Sequence, residues 1–234
     1  GRLNEASSLY LQTLALDPPV RPTAGQVELA LKFAPRLQTV PGEFFPLKDI
    51  VAILHPERPA IGYHLFWEDD IDFPDDNQPC DHEVDWVEYD AMTQQVTKIS
   101  AYLHGRIEPG NEAPAEANAH GGRPWIGVEW GKHGSLAWGA PDQADGAGQV
   151  LQRNWFKLHT NGRRAQAHPL ARNWPVKFEG DFQAYTNFSV PVDPRPLLKE
   201  RQMIWVTRWP NAVINQYCLR YNFCPKTPWP WPGN

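Results

Sequence analysis

Sulfur, basic runs and long apolar stretches are all scarce in this sequence. Three cysteines (Cys80, Cys218, Cys224) and two methionines stand among 234 residues, too few thiols for a disulfide-stapled scaffold. A single Cys218–Cys224 bridge would close the C-terminal segment and leave Cys80 unpaired. The net charge is −5 and no Lys/Arg run occurs, which excludes the basic footprint of a nucleic-acid binder. No apolar run approaches the ~20 residues of a membrane-spanning helix. The chain lacks a phosphate-binding loop, a dinucleotide fingerprint and a Gly-x-Ser-x-Gly elbow, so no nucleotide cofactor is expected. With no repeat and no linker, residues 1–234 read as a single β-sandwich domain.

What the chain has in excess is proline and tryptophan, 24 and 11 residues. Prolines at that density suit short strands and fixed loops better than long helices. Tryptophans suit a β-rich core, or an aromatic surface for sugars or lipid head groups. Helical patterns are confined to residues 1–36: Asn4–Ala15, and Thr23–Phe33 with Thr23 as cap and Pro35 as stop. Beyond Phe45, short apolar runs alternate with Pro, Gly, Asn and Asp. They predict strands at Asp49–Leu54, Gly62–Trp67, Val84–Tyr89, Val96–Leu103, Trp125–Trp130, Ser135–Trp138, Trp155–Leu158, Phe178–Phe182, Met203–Val206 and Ile214–Tyr221. Ile107–Arg123 and Gly139–Gly148 read as long loops, and residues 224–234 as an extended Pro/Trp arm laid on the body. The fold class expected is mainly β, an antiparallel β-sandwich with short N-terminal helices and long loops.

Chemistry concentrates between Asp69 and His104. From Glu68 to Glu88, ten carboxylates surround His82, and their mutual repulsion calls for cations, protons or water. Asp69, Asp70, His82 and Asp85 are the candidate ligands of a divalent ion (Mg²⁺, Ca²⁺ or Mn²⁺ for a carboxylate-rich site, Zn²⁺ with more imidazole). The plainer reading is a solvated acidic loop. In an extended strand Glu83, Asp85 and Val87 share one face and Val84, Trp86 and Glu88 the other; His82, at the junction, is expected to swing towards Asp85. His104, Lys132 and His133 are the candidate catalytic residues, imidazoles titrating near neutrality beside a cation. His55, His159 and His168 read as loop histidines.

His82-Glu83-Val84-Asp85-Trp86 resembles the His-Glu-Gly-Asp-Trp-Glu motif of the vacuolar-protein-sorting 62-like family. It also resembles the Gly-His-Arg-His-Asp-Trp-Glu heptapeptide of the necrosis- and ethylene-inducing plant toxins. Leu31–Leu37, Gly62–Trp67, Ile99–Gly105 and Trp125–Ser135 resemble segments in the same order, so the likeness spans roughly residues 30–140. It implies a β-sandwich and, from the toxins, a divalent metal on the heptapeptide and a nearby Asp. His82 and Asp85 match those ligands, with Asp69 or Asp70 as the upstream Asp. Val87 stands where the motif ends in Glu, Val84 replaces the second toxin His, and Glu88 comes one residue late. These departures count against toxin activity.

The function expected is a hydrolase or lyase acting on a small organic substrate from a His/Asp-rich site at one end of the sandwich. The alternative is a secreted, non-catalytic protein that grips a glycan or lipid head group. The sequon Asn187-Phe188-Ser189 leans the compartment towards secretion. Oligomeric state has no signature.

Overall fold

The computed structural model describes residues 2–71, 80–140, 150–161, 174–219 and 225–231. Among the described residues ten strands and seven α-helices follow one another: α1 (Arg2–Leu16), α2 (Ala24–Lys32), β1 (Arg36–Thr39), β2 (Leu47–Leu54), β3 (Ala60–Trp67), β4 (Asp81–Tyr89), β5 (Val96–Leu103), β6 (Arg106–Pro109), α3 (Ala113–Ala119), β7 (Trp125–Val128), β8 (Ser135–Ala137), α4 (Val150–Thr160), α5 (Phe182–Tyr185), β9 (Val190–Val192), α6 (Arg195–Arg201), β10 (Ile204–Val206) and α7 (Pro210–Val213). A π-helical turn, Ile214–Cys218, continues α7. One sheet has the order β10-β2-β3-β4-β5-β6 and the other β8-β7-β1-β9. The fold is mainly β. Neighbours pair antiparallel except β10 with β2 and β1 with β7, which are parallel, so both sheets are mixed.

The large sheet is buried on both faces. Between the sheets, Ile50, Tyr63, Leu65, Val87 and Ile99 meet Leu37, Ile126 and Val128. On its other face Val51, Ile53, Val84 and Trp86 pack against Leu14 of α1, Val213 of α7 and Trp229. A strand covered on both sides reads as a continuous apolar run, and every residue of β3 is buried. A third cluster, Phe45, Ile71, Trp130, Trp174, Phe178 and Tyr185, joins the loops at one end to α4 and α5. Tyr63 ties α2 to the sheet, its hydroxyl donating to Ala30 O at 2.8 Å. Among the described residues no helix is long and apolar enough to cross a membrane.

Several elements correct the sequence reading. Trp155–Leu158 lies in α4, whose inward face is Gln152, Trp155, Phe156 and His159. That spacing is helical, but two polar members hide it from an apolar count. Ile107–Arg123 holds β6 and α3, and the buried face of α3 is only Ala113 and Ala117. Phe178–Phe182 forms no strand, and its last residue opens α5; Ile214–Tyr221 begins as the π turn. Thr23 caps α2 as expected, in a reciprocal capping box with Gln26. Cys218 carries a free thiol, and its expected partner Cys224 lies outside the described residues, as do His168, residues 72–79 of the acidic loop and most of Gly139–Gly148.

The arm is seated on the body. Trp229 is buried in the outer cluster, donates to Arg208 O at 3.1 Å and stacks on Trp231. Trp86 donates to Pro228 O at 3.2 Å. Trp229→Ala is expected to cost about 3–5 kcal/mol in urea unfolding, as for other buried Trp truncations, with Trp231→Ala costing distinctly less. Equal, small losses would mean the arm does not cover the sheet.

Candidate functional site

Three connections meet at one end of the large sheet: residues 40–46 before β2, residues 68–71 after β3 and residues 129–134 between β7 and β8. Glu43 joins two of them. Its Oε1 accepts from the Phe44 and Phe45 amides at 2.8 and 3.0 Å, and its Oε2 from the Gly131 amide at 2.8 Å. The Ile71 amide donates to Gly131 O at 2.6 Å and adds the third. Gly131 has φ +71°, and a Cβ there would sit 2.9 Å from Ile71 Cγ1, so the junction requires glycine on both counts.

At the centre lies His133, fully buried. Its Nδ1 donates to Asp81 Oδ2 at 2.8 Å, and its Nε2 lies 3.4 Å from Glu43 Oε1. Its ring stacks on Trp67, centroids 4.4 Å apart and planes 5° from parallel. Burial alone would lower its pKa; the charge of Glu43 and the hydrogen bond to Asp81 outweigh that and hold it up at about 10. Asp81 and Glu43 are likewise held below the usual carboxylate range, His133 overcoming their burial. The triad is an imidazolium between two carboxylates. Lys132 pairs with Asp70 and His104 with Glu129, so two expected catalytic residues and one expected metal ligand are each engaged by another side chain of the cluster.

His104 and His133 have φ of +47° and +53°. For His104 the cause is local: His104-Gly105 is the two-residue loop joining β5 to β6, with both residues at positive φ as a tight hairpin demands. The ring of His104 stacks on Trp155 of α4 at 4.1 Å.

The four proposed metal ligands are not gathered. In β4, Asp81, Glu83 and Asp85 pair with Trp67, Leu65 and Tyr63 and face the space between the sheets, whereas His82 pairs with Phe66 and faces outward. The expected swing of His82 towards Asp85 therefore does not occur: strand alternation puts them on opposite faces. His82 Nε2 instead lies 2.9 Å from His64 Nδ1, and its ring stacks on Phe66. Burial drives His64 down to about 3, and burial, His64 and Lys226 drive His82 well below its ordinary value; both imidazoles are neutral. Asp85 is fully buried, and burial lifts it to about 7 against the pull of a hydrogen bond from Ser135. Asp69 Oδ1 accepts from the Asp70 amide at 3.0 Å. Among the described residues no group of three or more His, Cys, Asp or Glu is placed to hold a metal ion.

Sequence reasoning missed four members of the site. Glu43 and Glu129 carry no motif, and Asp81 was lost among its neighbours. His159, read as a loop residue, lies on α4, where its Nδ1 and the Tyr185 hydroxyl are 2.8 Å apart. Burial lowers its pKa to about 3, helped by Lys132, His104 and His133, which places it beside the cluster. The i, i+7 relation of Gln152 and His159 is the signal that would have found it.

Against this closed cluster lies an open groove of about 590 Å³ between the ends of β2 and β3 and the π turn. Phe66, Trp67 and Tyr217 supply aromatic surface; Lys48, Asp49 and Glu68 supply charge. Lys48 pairs with Glu68, and Tyr217 is stacked on Trp205 while 53% exposed. Trp67 also lines a second cleft of about 360 Å³ with Glu43, Phe44 and Val190. One indole thus stands between the ion triad and both cavities.

No protein-family model matches the chain, and no curated protein does. Two solved structures are similar to part of it. NLPPya in complex with glucosamine is 18% identical, with TM-score 0.38, over 51% of this chain and 70% of that one. Necrosis and ethylene inducing protein 2, from the causal agent of cocoa's witches' broom disease, is 17% identical, with TM-score 0.35, over 51% and 69%. The toxin side of the resemblance recurs there; the vacuolar-protein-sorting side does not. So loose a superposition transfers no ligand or residue role.

Two stability measurements test the electrostatics. His133→Ala leaves Asp81 and Glu43 buried without their cation and is expected to cost about 3–5 kcal/mol at pH 7; a loss below 1 kcal/mol would refute the triad. Asp85 binds its proton more tightly folded than unfolded, so its contribution is full below the unfolded value near 3.8 and is lost as pH rises through about 7. Asp85→Asn should therefore exceed wild type in stability by on the order of 3 kcal/mol at pH 8. The gain should vanish towards pH 4, and a pH-independent difference would show that the carboxyl is not buried as described.

Proposed function

We propose that the chain is a non-catalytic binding protein whose groove beside Trp67 takes a glycan. The observation that carries this reading is one open cavity in which the exposed ring of Tyr217, beside the buried Phe66 and Trp67 of the lining, meets a charged rim of Lys48, Asp49 and Glu68. Sugar rings present apolar C–H faces and equatorial hydroxyls, which such a lining meets by stacking and by hydrogen bonds. An amino sugar adds a cation for Asp49 and Glu68, and glucosamine, present in one of the similar structures, is the first probe. The hydrolase or lyase reading draws on His104, Lys132 and His133. Their engagement by Glu129, Asp70, Asp81 and Glu43 favours a scaffolding role for them. A divalent ion would need Asp69, Asp70 and Asp85 to converge with a histidine other than His82.

Calorimetric titration with glucosamine and with glucose is expected to give saturable binding that is stronger for the amino sugar. Tyr217→Ala and Asp49→Asn, both at the accessible rim, should weaken it at least about tenfold, the equivalent of ~1.4 kcal/mol. Binding to anionic vesicles with no response to either sugar would assign the groove to lipid head groups instead. Turnover of a glycoside abolished by His133→Gln would restore the enzymatic reading.

A further inference from the structure

We propose that the same groove holds a soft monovalent metal ion, Cu(I) or Ag(I), on the sulfurs of Cys80, Cys218 and Met203. The chain has three Cys and two Met in 234 residues, and three of those five sulfur-bearing residues line this one cavity. They arrive from separate elements: Cys80 immediately before β4, Cys218 at the end of the π turn and Met203 immediately before β10. All three are partly buried and pack against the same apolar cluster, and both cysteines are free thiols.

The surroundings select the class of ion. Two thiols and a thioether are soft donors, preferred by Cu(I) and Ag(I) over the hard divalent cations that carboxylates suit. No group of three His, Cys, Asp or Glu capable of holding a metal occurs among the described residues, so a site here depends on the thioether. Burial, with Asp81 and Asp69, raises the Cys80 thiol to about 11, and burial with Asp49 raises Cys218 to about 12. Both are therefore protonated at neutral pH and poorly reactive as free nucleophiles, while Asp49, on the wall of the groove, attracts a cation into it. A thiol that binds the ion releases its proton (M⁺ + RSH → M–SR + H⁺), and no electron is transferred when copper is supplied as Cu(I). One such exchange leaves the charge of the site unchanged beside Asp49; two leave it one unit more negative, with Lys48 on the same wall. The competing account is that the sulfurs merely pack against Phe66 and Tyr217, as polarisable gap-fillers do.

The proposal is independent of the glycan reading, which is tested with sugars and no metal. The reduced protein, carrying Cys224→Ser to remove the third thiol, is titrated anaerobically with Cu(I) held by bicinchoninate, and separately with Ag(I). One ion per chain is expected, with a thiolate-to-copper absorption band and release of protons. Cys80→Ser and Cys218→Ser should each lower affinity by more than the roughly 10–100-fold that loss of an outer-shell partner costs, and Met203→Leu by about tenfold. Because a serine variant can misfold, protection is also read on the unmutated chain: saturating Ag(I) should shield Cys80 and Cys218 from iodoacetamide, scored by peptide mass spectrometry. The proposal falls if no ion is taken from bicinchoninate, if affinity is the same in both cysteine variants, or if Ag(I) leaves both thiols open to alkylation.

Discussion

A single imidazolium holds the loop end of this fold together. His133 sits without solvent contact between Asp81, at the head of β4 in the large sheet, and Glu43, in the connection into β2. Either carboxylate alone would be a costly buried charge. With the cation between them, each draws the other into place, and the backbone amides of Phe44, Phe45 and Gly131 complete the shell of Glu43. Three connections far apart in sequence become one rigid corner. Because the ring also stacks on Trp67, the corner fixes the indole that walls the groove.

The acidic stretch is tolerable for a related reason. Strand alternation sends Asp81, Glu83 and Asp85 inward and His82 outward, and each carboxylate meets a different remedy. Asp81 has His133. Glu83 has Lys226, 3.0 Å away, yet burial outweighs that cation and raises the carboxyl to about 8. The pairing of β4 with β5 begins only at Asp85 with Ala101, which leaves the edge beside Glu83 open to the arm that carries Lys226. Asp85 has no cation and keeps its proton to near neutrality. The outward histidines are buried, and burial, with Lys226 near His82, keeps them neutral; one hydrogen bond joins them.

Much of the fold was legible because strands reveal themselves by parity. Val96–Leu103 was found with its final bounds, and the inward set Ile99, Ala101 and Leu103 is fully buried. The division of Val84 and Trp86 from Val87 was equally readable. What failed had a different cause in each case: α3 buries alanines, and α4 buries a glutamine and a histidine. The site was legible only by type. Asp70 and Lys132, read as a metal ligand and a catalytic residue, prove to be each other's counter-ions. The partner of His133 at Glu43 lies ninety positions upstream in an unremarkable loop, and nothing local to either residue encodes their meeting. Long-range ion pairing is a property of the packed chain.

That distinction bears on where function resides. An acid–base group must exchange protons with a substrate, and a histidine already bracketed by two carboxylates has neither the free lone pair nor the access to do so. The same bracketing rigidifies whatever leans on it. Trp67 leans on His133 through a parallel stack, and the charge behind the indole is fixed in place. On the binding reading proposed above, a lining held rigid from behind loses little entropy when a ligand enters the groove. Tyr217, exposed but stacked on Trp205, forms the opposite, more yielding side. On that reading, the charges that looked like a catalytic centre act as a foundation, their influence transmitted through the ring of Trp67.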